Sequence, residues 1–185
     1  RSLEKKFLDL AVNEINNSGY SFDNQNYVQI INEKNLDRLA ALIDKEKVHA
    51  GGRIDRQERH IEPTLLTGVR FEDPIMQDEI FGPILPIKTY DSLDVVIAYI
   101  NARPRPLALY IFTKDRRIQK KVIDETRSGG VGINDCALHV PQHDMPFGGI
   151  GNSGMGQYHG YEGFAEFSKL RPVFQQAARP LGASF

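Results

Sequence analysis

The sequence predicts an α/β fold, a mostly parallel sheet with crossover helices, on three observations. Between Ile84 and Asn134, short apolar runs alternate with stretches whose apolar residues recur at helical spacing. Strand, helix, strand, helix, strand in that order requires parallel strands joined by crossover helices. The run Leu107 to Thr113 is almost unbroken in apolar character, the pattern of a strand buried on both faces. Glycine pairs at Gly51-Gly52 and Gly129-Gly130 then punctuate the ends of helical segments.

Taken in chain order, Leu3, Phe7, Leu8, Ala11 and Ile15 recur at helical spacing. The chain thus opens almost inside an amphipathic helix, without a starting methionine, and is expected to be a segment of a longer protein. A second helix is predicted from Glu33 to Glu46, with Leu36, Leu39, Ala40 and Ile43 on one face. Asn32 is placed to cap it, and Gly51-Gly52 to close the turn after it. Ile61 to Val69 reads as a strand region that Pro63 keeps irregular or at an edge. Ile84 to Tyr90 reads as a further strand.

Ser92 to Ala102 is helical through Val95, Val96, Tyr99 and Ile100, and Lys114 to Thr126 through Ile118, Val122 and Ile123. Val131 to Asn134 is a short strand after the second of these. Ten of the sixteen glycines fall between Gly129 and Gly163, so this part is a glycine-rich loop region. Met145, Phe147, Met155, Tyr158 and Tyr161 are large enough to pack within it, which excludes a flexible linker. A helix from Tyr161 to Ser168 follows, then a final strand over Leu170 to Gln176, expected to pair with another sheet or subunit. The end from Ala177 is expected to be loose.

Composition narrows the function. A length of 185 residues suits one well-buried domain. The net charge of -1 argues against a phosphate-binding surface spread over the molecule, and so against a nucleic-acid partner. No apolar run approaches the roughly 20 residues of a membrane helix. The single cysteine, Cys136, forbids an internal disulfide and fits a reducing compartment, so the cytoplasm is the default expectation.

Gly149-x-Gly151-x-x-Gly154 literally matches the dinucleotide fingerprint. That motif needs a strand directly before it and a helix opening directly after it. Pro146-Phe147 precedes it here and further glycines follow, so a structural turn is the favoured reading. Cys136 with His139 three residues on could be a nucleophile and base, but a lone cysteine after a strand is more often a small packed residue. His139, His143, Asp144 and His159 could suggest a metal. Pro141 interrupts the helix that would align the first two, and no metal site is assigned. Glu79 is a carboxylate in an apolar run. Its neighbours alone favour a charge facing water, with a hydroxyl-binding group beside an aromatic cover as the alternative.

Several separate runs resemble the aldehyde dehydrogenase superfamily in family order. They are Glu62-Pro63-Thr64-Leu65-Leu66, Met76 to Pro83 (Met-Gln-Asp-Glu-Ile-Phe-Gly-Pro), Ser128-Gly129-Gly130-Val131, and Pro146-Phe147-Gly148-Gly149-Ile150-Gly151-Asn152-Ser153-Gly154-Met155-Gly156. The run Gly151 to Gly160 is most similar to the class 3 branch, which includes fatty and coniferyl aldehyde enzymes. The resemblance implies a partial catalytic domain over residues 1–169, with residues 170–185 as a C-terminal strand and tail that serves oligomerisation. It implies NAD or NADP as cofactor, a small-molecule aldehyde as substrate and a homo-oligomer. By resemblance, Glu79 holds the nicotinamide ribose hydroxyls and Phe81 lies beside the nicotinamide. Phe147 forms the base of the aldehyde pocket, and Leu138, His139 and Val140 fall where the branch shapes its substrate entrance. The family's nucleophilic cysteine, general base and coenzyme loop have no counterpart in this sequence. Cys136 does not match the nucleophile, so no residue here is assigned a catalytic role, and the chain is expected to be inactive alone. The rivals are a non-catalytic scaffolding or binding module that keeps the fold, and a semialdehyde or acyl-phosphate reductase on the same fold.

Overall fold

The structure, a computed structural model, describes residues 2–22, 24 and 27–176. They divide into two compact units, one up to Asp91 and one from Ser92.

The first unit opens with helix α1 (Glu4–Asn17), of which Leu8 is buried. Helix α2 (Glu33–Leu42) starts as expected, with the Asn32 side chain accepting from the Asn35 amide at 2.9 Å. It ends at Leu42 rather than Glu46. Asp44 caps a separate 3-10 turn, Lys45–Lys47, and the chain then enters strand β1 (Val48–Ala50). Gly51-Gly52 therefore closes a strand, not a helix. Strands β2 (Ile54–Asp55) and β3 (His60–Ile61) form an antiparallel hairpin. Strand β4 (Thr64–Leu66) pairs antiparallel with β1 and parallel with β5 (Ile84–Pro86), with Thr64 opposite Ile84 and Leu66 opposite Pro86. Leu36 and Leu39 of α2 pack with Ile61, Leu66, Val69, Ile75 and Ile84 in one buried cluster. Each such side chain contributes about 1.5–3 kcal/mol by leaving water.

The second unit contains helix α3 (Leu93–Asn101), strand β6 (Ala108–Ile111), helix α4 (Arg116–Glu125) and strand β7 (Gly130–Ile133). Asp115 caps α4 by accepting from the Arg117 amide at 2.8 Å. Strands β6 and β7 run parallel, Ala108 opposite Gly130 and Ile111 opposite Ile133. Ile97, Ile111 and Val122 are its buried cluster, with Leu93 and Leu109 against them. A short helix, α5 (Gly160–Glu166), closes the glycine-rich region.

The α/β class stands, with three differences. The alternation from Ile84 to Asn134 is not one sheet, because β5 pairs with β4 and β6 with β7. Apolar periodicity fixes an element's type and leaves its partner open. The run through β6 is not buried on both faces, since Tyr110 is 37% exposed while Ile111 faces the helices. Residues 170–176 form no strand, and Leu170, Val173 and Phe174 are exposed. A strand needs a neighbour to satisfy its backbone groups, and the partner expected for this segment was another sheet or subunit. The rest of the tail lies outside the described residues. No helix among the described residues is long and apolar enough to cross a membrane.

Candidate functional site

The first unit presents an exposed turn between two buried anchors. Ile75, in a 3-10 turn (Pro74–Met76), and Ile84 at the start of β5 are both buried. Between them the side chains alternate. Ile80 packs against the core cluster, while Glu79 and Phe81 stand outward. Phe81 takes φ +50°, the left-handed region, with its ring 82% exposed. A non-glycine residue there costs about 1–2 kcal/mol, and a large apolar side chain in water adds to that cost. Strain of this kind is a pointer to function when the surroundings enforce it. The Glu79 carboxylate has no hydrogen-bond or ion-pair partner among the described residues. An acceptor pair beside an uncovered flat ring suits a ligand with neighbouring hydroxyls and a planar ring.

Asp73 fixes the entry to this turn. Its buried carboxylate accepts from Lys47 Nζ at 2.6 Å, the Arg70 amide at 2.8 Å and Arg70 Nε at 3.2 Å. The Lys47 ammonium and the Arg70 amide hold its pKa down from 3.8 to about 2, and the same contact raises that of Lys47. A carboxyl depressed in the fold contributes stability above its ordinary pKa, lost as pH falls through the folded value. The lysine's share, from a raised pKa, is lost only as pH rises past its ordinary 10.5. The urea midpoint is therefore expected to fall between about pH 4 and pH 2. Asp73→Asn is expected to lower the midpoint at neutral pH and flatten that acid step; an unchanged acid step in the variant would remove this assignment.

The second unit builds an aromatic cleft. Asn134 (φ +56°) staples the ends of β6 and β7, accepting from the Thr113 amide at 2.8 Å and donating to its carbonyl at 3.1 Å. The chain then turns back, and His139 packs over the sheet. Its ring lies 5.6 Å from Tyr110 and 5.7 Å from Phe147. Gly130 makes room for it, since a Cβ there would lie 3.2 Å from His139 Nε2. Both His139 nitrogens are buried without a partner, so the imidazole acts as a packed ring. Phe147 exchanges backbone hydrogen bonds with Tyr158, both at 2.9 Å, and their rings meet edge to face. Beside them opens a cleft of about 470 Å³, walled by Leu107, Phe147, Met155, Tyr158, Glu166 and Phe167.

The structure therefore brings Phe147 and His139 into contact, while Glu79 and Phe81 share a turn on the other unit. Leu138 is 60% exposed, and neither it nor Val140 walls the Phe147 cleft. Tyr158 and Phe167 do; Tyr158 was legible as a residue large enough to pack in the glycine-rich region, and Phe167 as part of the helix after it, but neither was named as a site residue. The glycine fingerprint is a turn packed on itself, where a Cβ at Gly149 would lie 2.0 Å from the Ser153 carbonyl oxygen. No strand runs into it and no helix opens from it. Cys136 is exposed, and its amide donates to Asp135 at 2.7 Å. His139 and His143 have different ring partners, Tyr110 and Phe147 for the first and His159 for the second. No group of three or more potential metal ligands occurs among the described residues.

Residues 1–173 match the model of the aldehyde dehydrogenase family, and the chain belongs to that family. It is 48% identical over 158 residues to a probable coniferyl aldehyde dehydrogenase of Pseudomonas aeruginosa, covering 83% of this chain and 33% of that protein. It is also 48% identical over 147 residues to the dimeric NADP-preferring aldehyde dehydrogenase of Rattus norvegicus, covering 80% and 32%. Among solved structures, substrate-bound AldH of Staphylococcus aureus superposes with a TM-score of 0.87 at 41% identity, covering 98% of this chain and 41% of that one. The NAD+ complex of a Mycobacterium tuberculosis aldehyde dehydrogenase gives 0.67 at 32% identity, covering 80% and 33%. The chain thus spans about a third of the length of the curated relatives it matches, and the likeness to the class 3 and coniferyl branch holds.

Proposed function

We propose that this chain is the part of an NAD(P)-dependent aldehyde dehydrogenase that orients the cofactor and walls the aldehyde pocket. The reaction is oxidation of an aldehyde to a carboxylic acid through a cysteine thiohemiacetal, with the cysteine and general base supplied by sequence outside residues 1–185. The observation that carries this reading is the turn in which an unpartnered Glu79 carboxylate stands beside the exposed, strained Phe81 ring. The bound nicotinamide supplies the hydride acceptor. Glu79 accepts hydrogen bonds from the ribose hydroxyls, and Phe81 limits the ring's travel and keeps water from its face. Phe147, held by Tyr158 and His139, sets one wall for the body of the aldehyde. The aromatic lining favours an aldehyde with an apolar or aromatic body. The relative named as dimeric supports a homo-oligomer for the complete enzyme.

The isolated chain is expected to form no NADH from NAD+ and a panel of aldehydes, with or without Cys136→Ala. Activity abolished by that substitution would make Cys136 a nucleophile and overturn the mapping. In the complete enzyme, Glu79→Gln keeps the shape and removes the charge, so hydride transfer is expected to slow about tenfold or more in single turnovers. Unchanged turnover there would favour a scaffolding role for this segment.

A further inference from the structure

We infer that Arg38, on the exposed side of α2, is a positioning residue that holds the Glu79–Phe81 turn in its ligand-ready shape. The inference rests on the reading of that turn as the cofactor contact. Arg38 Nη2 donates to the Ile80 carbonyl at 2.8 Å across 42 positions of sequence. That carbonyl belongs to the peptide linking Ile80 to Phe81, so the guanidinium grips the backbone between the two outward side chains. A carbonyl held from one side fixes the peptide plane, and the peptide plane sets the φ of the next residue. That residue is Phe81, at φ +50°.

A second contact from the same helix seats the turn one residue on. The Gly82 backbone lies so close to Leu39 that a Cβ there would come within 2.5 Å of Leu39 Cδ2. Beyond it, the Gly82 carbonyl accepts from the Ile84 amide and the Pro83 carbonyl from the Thr64 amide, both at 2.9 Å. Adjacent residues of α2 thus act in different ways. Leu39 supplies the apolar seat, and Arg38 supplies the charge-assisted hydrogen bond that resists relaxation of Phe81 to negative φ. Arg38 has no ion pair among the described residues, so its guanidinium is not held elsewhere by a carboxylate.

Two readouts test this. The first uses the 185-residue chain with 4-fluorophenylalanine placed at position 81. In Arg38→Ala the fluorine resonance is expected to sharpen and move toward its unfolded-chain position, with Arg38→Lys between it and wild type. The second uses the complete enzyme. There Arg38→Ala is expected to raise the KM for the cofactor about tenfold while the KM for the aldehyde stays within twofold, and Arg38→Lys to restore part of the loss. Combined with Glu79→Gln, Arg38→Ala is expected to add little further loss, because both act through one contact. Normal cofactor KM in Arg38→Ala, alongside impaired Glu79→Gln, overturns the inference and leaves the turn's role standing. Normal behaviour in both variants overturns the reading of the turn itself. An unmoved fluorine resonance in Arg38→Ala also overturns the inference, whatever the kinetics show. An equal rise in both KM values overturns it too, by marking the effect as general loss of structure.

Discussion

Gly129→Ala is expected to destabilise the chain by about 3 kcal/mol or more, among the severest effects of any single methyl group added here. A Cβ at Gly129 would lie 2.2 Å from the Gly148 carbonyl oxygen and 2.6 Å from that of Leu107. Both obstacles are backbone, so neither can rotate away. Gly129 also donates to the Pro106 carbonyl at 3.0 Å just before β7, and the next amide donates to Leu107 at 2.9 Å. Moving the backbone to relieve the clash would therefore loosen the start of the β6–β7 pair and the glycine-rich loop together. Urea unfolding of the two proteins measures the difference. Gly151→Ala supplies the contrast. Gly151 sits at φ +65° with nothing within 4 Å of its would-be Cβ, so its cost is conformational alone, about 1–2 kcal/mol. Equal losses in the two variants would show that crowding at Gly129 is relieved more easily than this packing implies.

Leu39→Ala is expected to cost about 2–5 kcal/mol, the range for emptying a fully buried leucine site. Leu39 is 0% exposed and lies in the first unit's core with Leu36, Ile61 and Leu66. Its methyl groups also form the seat of Gly82, so the loss reaches the Glu79–Phe81 turn. Gly82→Ala alone pushes a methyl into those same atoms. In Leu39→Ala that space is open, so the double variant is expected to be more stable than the sum of the two losses predicts. A double-mutant cycle from chemical unfolding reads the coupling directly. Strict additivity would separate the core from the turn and weaken the account of how α2 shapes it.

Local signals in the sequence were sufficient for most elements. Asn32 marked the start of α2, and the 3.6-residue recurrence marked α1, α3 and α4 close to their observed ends. Capping and periodicity are properties of neighbouring residues, so they survive without knowledge of the rest of the chain. Strand β1 was missed because Val48-His49-Ala50 is too short to show alternation, and its identity comes from pairing with β4. The final strand was expected from an apolar run whose partner is not among the described segments.

The candidate site divides in the same way. The family motifs named Glu79, Phe81 and Phe147 from sequence, because each sits in a run with strict local order. Arg38 was invisible there, since its hydrogen bond spans 42 positions and nothing near it in the chain anticipates Ile80. His139 was named from sequence only as a candidate for the substrate entrance, and not as a packed ring with both nitrogens buried, which depends on Gly130, Tyr110 and Phe147 meeting around it. The sequence by itself determined the α/β class, most of the elements and the family, because these rest on residue types at short spacing. Only the tertiary structure decided which strands pair, which glycines have no room for a methyl, and which side chains hold the turn. Those are contacts between distant residues, and their energies depend on distances that no local pattern encodes.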